Sequence, residues 1–307
     1  MGDQASVVCI ASWNADLISH VARPIARGET LLAKAFSISP GGKGSNAAVA
    51  AARQGASVAL VARIGDDDFG RMGTALWQTE GIAYEHVERA AGERSGVAQI
   101  LVYEDGDNSI AVCPGAGTGL NARHIDKARA LIECASVVMA SCEVPLAATQ
   151  AAFQIARAAG VTTLLNPAPA CDLPRELLAL VDLLTPNETE LHQIAGLRSA
   201  DSIDDAATAL LQRGVGAVLV TLGAAGCKLY QPGKPTLTIA GHNMQVADTI
   251  GAGDTFTGTL AAALAQGEAL VDAMRWANTA AALSVTRHGA VMGIPTRADV
   301  LAFSALN

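Results

Sequence analysis

The stretch GGKGSNAAVAAAR, residues 41–53, carries the pattern that predicts the fold of this 307-residue chain. Its glycines and Asn46 open a helix, and the alanine- and valine-rich part that follows ends before Gly55. A continuous apolar run precedes it at Val7–Ala11, and another follows it at 57–64. Strands that are apolar throughout and separated by a helix are typical of a parallel sheet covered on both faces.

The same alternation of strand and helix continues through the rest of the chain. Further apolar runs predict strands at 136–140, 161–165, 181–184 and 217–221. Helical patterns lie between them, for example at 147–159 and 204–212. This order predicts an α/β fold of the doubly wound type, with a mostly parallel sheet and helices on both of its faces.

Two stretches break this alternation and predict a small second sheet. Residues 21–39 mix polar residues with proline and glycine and lack a helical period. Residues 97–111 have the pattern of a β-hairpin, with Gly106 in its turn. We therefore expect residues 1–307 to form one domain, with lid segments around 17–39 and 97–112.

The composition limits the classes of partner. Half of the residues are hydrophobic, 16% are charged, and the formal net charge is −8. An acidic chain gains nothing from the phosphates of DNA or RNA, so we expect no nucleic-acid partner. No apolar stretch approaches the roughly 18 residues of a membrane span, so no membrane partner is expected either. The six cysteines are scattered without metal-ligand spacing, which predicts reduced, mostly buried thiols in a cytoplasmic protein.

A second glycine motif, DTIGAGD at residues 248–254, precedes an apolar helix predicted at 255–265. Glycines before a helix leave backbone N–H groups pointing outward at the positive end of the helix dipole, which favours an anion there. Asp254 in the first turn is placed to accept a hydroxyl proton while those N–H groups hold a phosphoryl group. Taken alone, the pattern is also that of an ordinary helix start with an acidic residue.

Two further motifs offer partners for hydroxyl groups. In residues 41–46, Lys43 and Asn46 supply donors, and the glycines permit a close backbone approach to a ligand. This run lacks the spacing of a Walker A phosphate loop. After the first strand, Asn14 and Asp16 are suited to grip vicinal hydroxyl groups, although alone they also fit a turn rich in Asx residues.

The sequence PNETE, residues 186–190, stands at the end of a predicted strand and the start of a helix. Its acidic residues are either ordinary first-turn residues or the groups that organise hydrated Mg²⁺ beside a nucleotide. No GxGxxG run follows the first strand, which disfavours a dinucleotide-dependent dehydrogenase, and no GxSxG indicates a serine hydrolase. The six histidines show no metal-binding spacing and are expected to be structural or on the surface.

In an open parallel sheet the ligand site lies at the carboxyl ends of the strands. Several polar or glycine positions follow predicted strands directly: the loop 12–16, Glu143, Asn166, Asn187 and Gly223. We therefore expect these positions to meet at one edge of the sheet.

Together these motifs resemble the ribokinase branch of the PfkB carbohydrate kinase family, almost from end to end. The runs 41–46 and 248–254 match the two family signatures. Other matching segments are 14–16, 28–30, 166–170, 186–190, 221–223, 285–287 and 289–290. The resemblance implies a ribokinase-like fold with a small β lid, a homodimer formed through the lids, and ATP, Mg²⁺ and K⁺ as cofactors.

The resemblance also implies individual roles. Asp254 matches the catalytic base, and the N–H groups of Gly251, Ala252 and Gly253 match the anion hole. The positions that match sugar contacts are Asn14, Asp16, Gly42, Lys43, Asn46, Glu143 and Asp254. Those that match nucleotide contacts are Asn187, Thr221, Gly223, Gly226 and Asn278, with Glu190 linked to Mg²⁺ and phosphate. Those that match the K⁺ site are Asp248, Ile250, Ser284, Arg287, Gly289 and Gly293.

Three positions depart from the family pattern, and one of them, Thr259 in place of a second small residue, is expected to be harmless. Trp13 replaces a common aliphatic residue, and it either alters the sugar pocket or packs; Gly293 lacks a side-chain oxygen that some members have. The implied activity is transfer of the γ-phosphate of ATP to the 5-hydroxyl of D-ribose in the cytoplasm. The alternatives are a kinase for another sugar or a nucleoside, and a sugar-binding regulator without catalysis.

Overall fold

The computed structural model describes residues 6–105 and 107–305, so Gly106 of the predicted hairpin turn lies outside the described residues. The strands are β1 (Val7–Ala11), β2 (Asn14–His20), β3 (Ala35–Gly41), β4 (Val58–Gly65), β5 (Ala83–Ala90), β6 (Gly96–Val102), β7 (Asn108–Cys113), β8 (Val137–Ser141), β9 (Thr162–Asn166), β10 (Leu183–Leu184), β11 (Ala217–Thr221), β12 (Gly226–Tyr230) and β13 (Leu237–Ala240). The helices are α1 (Lys43–Arg53), α2 (Asp68–Thr79), α3 (Ala122–Lys127), α4 (Arg129–Glu133), α5 (Leu146–Ala158), α6 (Arg175–Leu178), α7 (Glu188–Ala195), α8 (Ile203–Gln212), α9 (Ala252–Ala265), α10 (Leu270–Ser284), α11 (Ala290–Gly293) and α12 (Arg297–Ser304).

The main sheet confirms the predicted fold class. Within residues 6–105 and 107–305, nine strands pair in the order β13-β12-β11-β10-β9-β8-β1-β4-β5. The strands from β11 to β5 run parallel, whereas β12 and β13 add an antiparallel edge. Among the described helices, none combines the length and the apolar composition that crossing a bilayer requires.

The core lies on both faces of this sheet. Val8 and Ile10 of β1 pack with Phe153 of α5 on one face. Val7 and Cys9 pack on the other face in the cluster that contains α1, α9 and α10. Since side chains along a strand alternate between faces, a central strand covered on both sides must be apolar throughout. This is why β1 was recognisable in the sequence.

A small second sheet, in the order β3-β2-β6-β7, projects from the main one and confirms the predicted lid sheet. Strand β2 of this sheet corrects the sequence-based prediction, which placed Asn14 and Asp16 in a loop. Both residues lie in β2, where Asn14 pairs with Gly41 on one side and with Gly96 on the other. The strand was missed because its first residues are polar and face a cleft, so the apolar pattern is interrupted.

Helices α1 and α9 pack through very small residues. A Cβ added at Gly258 would lie 2.0 Å from the backbone oxygen of Ala47 and 2.8 Å from the Cβ of Ala50. The two backbones therefore approach each other as closely as glycine allows. This contact fixes the N-terminus of α1 beside the N-terminus of α9.

We expect Gly258→Ala to destabilise the protein, because the added methyl group must push the two helices apart. Overpacking of this kind costs about 1–3 kcal/mol. The free energy of unfolding, measured in urea, should fall by that amount. Gly117→Ala is the matched control, because the nearest atom to its added Cβ would be 3.8 Å away. Equal losses in both variants would contradict the proposed close contact.

Candidate active site

The predicted base lies at the junction of α1 and α9. Asp254 is buried in the first turn of α9, and its Oδ2 accepts a hydrogen bond from Nδ2 of Asn46 at 2.9 Å. Its Oδ1 lies 3.4 Å from Nδ2 of Asn166, at the end of β9. Two amide donors from separate elements therefore orient one carboxylate. Asn46 and Asp254 are brought together although 208 positions separate them.

The turn before Asp254 presents backbone N–H groups. Gly251 has φ 78° and precedes the first helical residue, Ala252. This left-handed conformation suits glycine, and Ala290 lies 3.1 Å from where a Cβ would be. A Cβ at Gly253 would meet no atom within 4 Å, so the helix start faces open space. The backbone N of Ala252 donates to the backbone oxygen of Thr249 at a long 3.3 Å. The open space at Gly253 and the helix dipole together suit a phosphoryl group.

Lys43 is the cation of the site. It is the first residue of α1 and lies among the carboxylates of Asp254, Glu143, Glu190 and Asp16. Asp254 contributes most to raising the pKa of Lys43. In return, Lys43 and then Asn46 counteract the burial that raises the pKa of Asp254. The ammonium group therefore helps to keep the base ionised.

Glu143 organises the backbone beneath Lys43. Its Oε2 accepts hydrogen bonds from Oγ of Ser12 at 2.7 Å and from the backbone N of Lys43 at 2.8 Å. Oγ of Ser12 in turn accepts from the backbone N of Gly44 at 3.0 Å. Burial raises the pKa of Glu143, and the charge of Lys43 opposes that rise. Glu143 thus joins three chain segments at the carboxyl edge of the sheet.

Asn14 and Asp16 project from β2 into the cleft between the two sheets. A Cβ at Gly96 would lie 2.2 Å from Oδ1 of Asn14, and one at Gly41 would lie 2.1 Å from Oδ1 of Asp16. These glycines therefore make room for the two polar side chains. Burial, and then the charge of Glu143, raise the pKa of Asp16 to about 7. A hydroxyl group that donates to this carboxylate would relieve its desolvation.

The glycines of the 41–46 run also permit close packing within the protein. A Cβ at Gly42 would lie 2.8 Å from Cα of Trp13, and one at Gly44 would lie 2.6 Å from Cα of Ala11. They therefore allow α1 to approach the chain's own backbone after β1. This close packing sets the position of Lys43 and Asn46.

Two cavities are lined by predicted site residues. The smaller one, about 220 Å³, is lined by Asn14 and Glu143 among other residues and opens between the two sheets. The larger one, about 430 Å³, is lined by the predicted nucleotide residues Thr221, Gly223, Gly226 and Asn278, together with Gly253 of the α9 turn. We call them the sugar-side cavity and the nucleotide-side cavity. Asp254 directly follows Gly253 of the nucleotide-side cavity, and Glu143 of the sugar-side cavity lies near enough to Asp254 for the two charges to interact.

The other two predicted nucleotide residues lie at the start of α7. The side chain of Asn187 accepts from the backbone N of Glu190 at 2.8 Å, and Glu190 accepts from the backbone N of Asn187 at 2.9 Å. This reciprocal capping box explains both residues as helix stabilisers. Burial raises the pKa of Glu190, and Lys43 lies close enough to oppose that rise. The carboxylate is therefore also part of the charge cluster around Lys43.

The predicted K⁺ residues form one loop cluster behind the α9 turn. The carboxylate of Asp248 accepts from the backbone N of Ile250 at 2.9 Å and of Gly289 at 2.8 Å. The backbone oxygens of Ser284 and Arg287 would lie 2.7 and 3.5 Å from a Cβ at Gly293. Converging carbonyl oxygens beside a carboxylate suit a large monovalent cation. In residues 6–105 and 107–305, no group of three His, Cys, Asp or Glu side chains is placed to hold a metal ion.

Trp13 both packs and lines the sugar-side cavity. Its Nε1 donates to the backbone oxygen of Phe69 at 3.0 Å, and its ring lies edge-on to Trp77 at 5.5 Å. A Cβ at Gly73 would lie 2.8 Å from the indole, so α2 is shaped around it. Trp13 therefore packs against α2 and also forms part of the wall of the sugar-side cavity.

Sequence reasoning assigned no role to three residues of the site. Ser12 holds Glu143, and Asn166 holds Asp254. His242 lines the nucleotide-side cavity, where its Nε2 lies 3.0 Å from Oγ1 of Thr279. Because Ser12 and Asn166 directly follow predicted strands, the sequence could have indicated that both belong to the site. The sequence around His242 has no spacing that would have indicated a place in the site.

Comparison with known proteins agrees with this geometry. A model of the pfkB family of carbohydrate kinases matches residues 4–297. A ribokinase of Haemophilus influenzae is 39% identical over 300 residues, covering 97% of this chain and 98% of that protein. A ribokinase of Staphylococcus aureus is 36% identical over 301 residues, covering 96% and 98%. The solved structure of Arabidopsis thaliana ribokinase complexed with ribose and ATP has a TM-score of 0.91 at 31% identity, covering 97% of this chain and 98% of that one.

The family match spans nearly the whole chain, and these relatives align with it from end to end. The resemblance inferred from the motifs is therefore confirmed. The chain belongs to the pfkB family of carbohydrate kinases.

Proposed function

We propose that this protein transfers the γ-phosphate of ATP to the 5-hydroxyl of D-ribose, with Mg²⁺ bound to the nucleotide phosphates. The observation that carries the proposal is the buried Asp254, which two amide groups orient directly after Gly253 of the nucleotide-side cavity. The ribokinases of similar sequence, and the similar structure complexed with ribose and ATP, support the choice of both substrates.

We assign a task to each part of the site during transfer. The 5-oxygen forms its bond to the γ-phosphorus as the bond from phosphorus to the β-phosphate oxygen breaks, and Asp254 takes the hydroxyl proton. The N–H groups of Gly251, Ala252 and Gly253 receive the transferring group at the α9 N-terminus. Mg²⁺ bound to the nucleotide would neutralise part of the charge of its phosphates.

Sugar recognition falls to the cleft between the sheets. Asn14, Asp16 and Glu143 supply acceptors, and Lys43 supplies a donor. Oδ1 of Asn46 is buried and accepts no hydrogen bond from the described protein atoms. A sugar hydroxyl would satisfy this oxygen, because a buried polar atom without a partner is costly.

The size of the two cavities favours a pentose over a nucleoside as acceptor. The sugar-side cavity has about half the volume of the cavity proposed for the nucleotide. We therefore expect kcat/KM to be highest for ribose in a panel with deoxyribose, fructose, pseudouridine and adenosine, with product mass as the readout. A much higher kcat/KM for adenosine or pseudouridine would overturn the assignment to ribose. Binding of sugar without any product would instead favour a regulator that has lost catalysis.

We expect K⁺ to raise activity and Na⁺ to do so poorly. The Asp248 carboxylate and the carbonyl oxygens near Gly293 lie directly behind Gly251, so a cation held there stabilises the turn that presents the anion hole. The measurement is kcat in KCl, in NaCl and in tetramethylammonium chloride at constant ionic strength. Equal rates in K⁺ and tetramethylammonium would refute the cation site.

We also propose that two copies associate through the small sheet. Phe36 and Ile38 of β3 and Ile110 of β7 are each exposed over about half of their surface or more, and Leu32 before β3 is 88% exposed. A patch of this kind indicates an interaction surface, and a second copy would cover it symmetrically. Sedimentation should give a dimer that Phe36→Asp dissociates and that Leu301→Asp, on α12, leaves intact. A monomeric wild type would contradict the proposal.

We further propose a cytoplasmic location. The structure describes all six cysteines, and none of them is in a disulfide. Thiols are kept reduced in the cytosol, whereas secreted proteins usually pair them. Cell fractionation with an antibody against the native protein would test this.

A further inference from the structure

Two cysteines lie on neighbouring loops beside the sugar-side cavity. Cys142 follows β8 and Cys171 follows β9, at the carboxyl edge that carries the site. The loops are tied by the register pair Ser141 and Asn166, and the backbone N of Cys142 donates to the backbone oxygen of Ala168 at 3.0 Å. After burial, the Cys171 thiol is the largest influence that raises the pKa of Cys142, so the two side chains are neighbours.

These two thiols differ in their accessibility. Cys171 is exposed, whereas Cys142 is half-buried and lines the sugar-side cavity next to Glu143. The prediction of mostly buried thiols is wrong for Cys171, and also for Cys113 and Cys134. The pair therefore combines one thiol that small oxidants can reach with a second thiol held beside it, which is the arrangement of a resolving pair.

We propose that Cys142 and Cys171 form a reversible disulfide and that this modification weakens sugar binding. The effect on the sugar rests on the proposed function, whereas the bond itself does not. Disulfides in cytosolic proteins are usually transient and redox-sensing, which fits a bond at the edge of a substrate site.

The oxidant is a low-molecular-weight disulfide, such as oxidised glutathione. The thiolate of Cys171 attacks one of its sulfurs, releases one glutathione thiolate and forms a mixed disulfide. The Cys142 thiolate then attacks the sulfur of Cys171 and releases the second glutathione. The two protein thiols lose two protons and two electrons in total, and one oxidised glutathione becomes two reduced molecules.

The environment of Cys142 makes the second step the slower one. Burial, followed by the neighbouring Cys171 thiol, raises the pKa of Cys142, and the carboxylates of Glu190 and Glu143 add to the rise. The attacking thiolate is therefore scarce at neutral pH. Closure of the bond should accelerate as the pH rises.

Closure would disturb Glu143. A disulfide requires a sulfur–sulfur distance of about 2.05 Å, which is shorter than any hydrogen-bonded contact between thiols, so the two loops must move. Glu143 is the next residue after Cys142 and holds Ser12 and the backbone N of Lys43. Misplacement of such groups by about 1 Å can cost on the order of 10²-fold in activity. We expect the KM for ribose to rise by at least about tenfold within that range.

The test incubates the full-length protein with oxidised glutathione and maps its peptides by mass without reduction. The expected result is a peptide pair that joins Cys142 to Cys171 with two hydrogens lost, together with the raised KM for ribose; dithiothreitol should reverse both. Cys171→Ser should form no bridge and keep its KM under the oxidant. Cys142→Ser should carry glutathione on Cys171 only. Cys134→Ser is the matched control and should behave as the wild type.

Two results would overturn the proposal. One is a wild-type map with glutathione on Cys171 and no bridge; the other is a complete bridge with an unchanged KM. Because the peptide map needs no substrate, a protein that fails to phosphorylate ribose would still show the bridge. Failure of the proposed function is then distinguishable from failure of this inference.

Discussion

Asp254→Asn is expected to lower kcat by about 10²–10⁴-fold, the usual contribution of a positioned base. This corresponds to roughly 3–5 kcal/mol of transition-state stabilisation at 1.36 kcal/mol per tenfold. Asparagine keeps the shape of the side chain, and the nucleotide-side cavity lies on the other side of the α9 turn. The dissociation constant for ATP, measured by calorimetry, should therefore change little.

Two further variants sharpen this test. Asp272→Asn removes an exposed carboxylate on α10 and should leave kcat unchanged. Asp248→Asn should cause a smaller loss than Asp254→Asn and should alter the response to K⁺, because Asp248 caps the loop behind the anion hole. If Asp254→Asn keeps more than about a tenth of the wild-type kcat, well outside the range for a base, the base must be elsewhere.

Lys43→Met is expected to shift the pH dependence of kcat as well as lower its value. Burial raises the pKa of Asp254, and Lys43 is the largest influence that opposes this rise. Loss of the ammonium group should therefore raise the pKa of the base further. Since only the ionised form accepts a proton, activity is lost as the pH falls through that pKa. The acidic limb of the profile should move to higher pH.

The pH profile separates this role from simple sugar binding. If Lys43 only donated to a hydroxyl group, Lys43→Met would lower kcat/KM by the same factor at every pH. Lys43→Arg keeps the charge and should restore the position of the acidic limb even if the KM stays high. Lys228→Met, which changes a lysine paired with Asp204 at the far edge of the main sheet, is the matched control. An unshifted limb in Lys43→Met would contradict the electrostatic argument.

The sequence predicted the strands that are buried on both faces with good accuracy. The bounds of β1 and β11 are the predicted ones, and β4, β8 and β9 differ by one residue, because continuous apolar runs between turn residues have sharp ends. The run at 181–184 forms only the two-residue strand β10. The antiparallel edge of β12 and β13 was not predicted, since β13 is half-exposed and the short buried run of β12 is interrupted by Lys228.

The chemistry of the site was predictable only in part. The rule that strand ends meet at one edge correctly grouped Glu143 and Asn166 with the glycine motifs. The sequence could not show that Asn46 donates to Asp254, or that four carboxylates surround Lys43, because these contacts join distant parts of the chain. Their geometry depends on how closely α1 and α9 pack.

The contact between α1 and α9 also limits how this enzyme can evolve. Ala47, Ala50 and Gly258 have no side-chain rotamers, so the helix pair offers no alternative packing that could absorb a substitution. Lys43 and Asp254 are therefore held in one relative geometry. Substitutions at this helix contact are expected to be removed by selection. A new sugar preference has to come from the small sheet instead, where Val112 lines the sugar-side cavity from a half-exposed strand. Selection for another substrate should accumulate substitutions there and spare the helix pair.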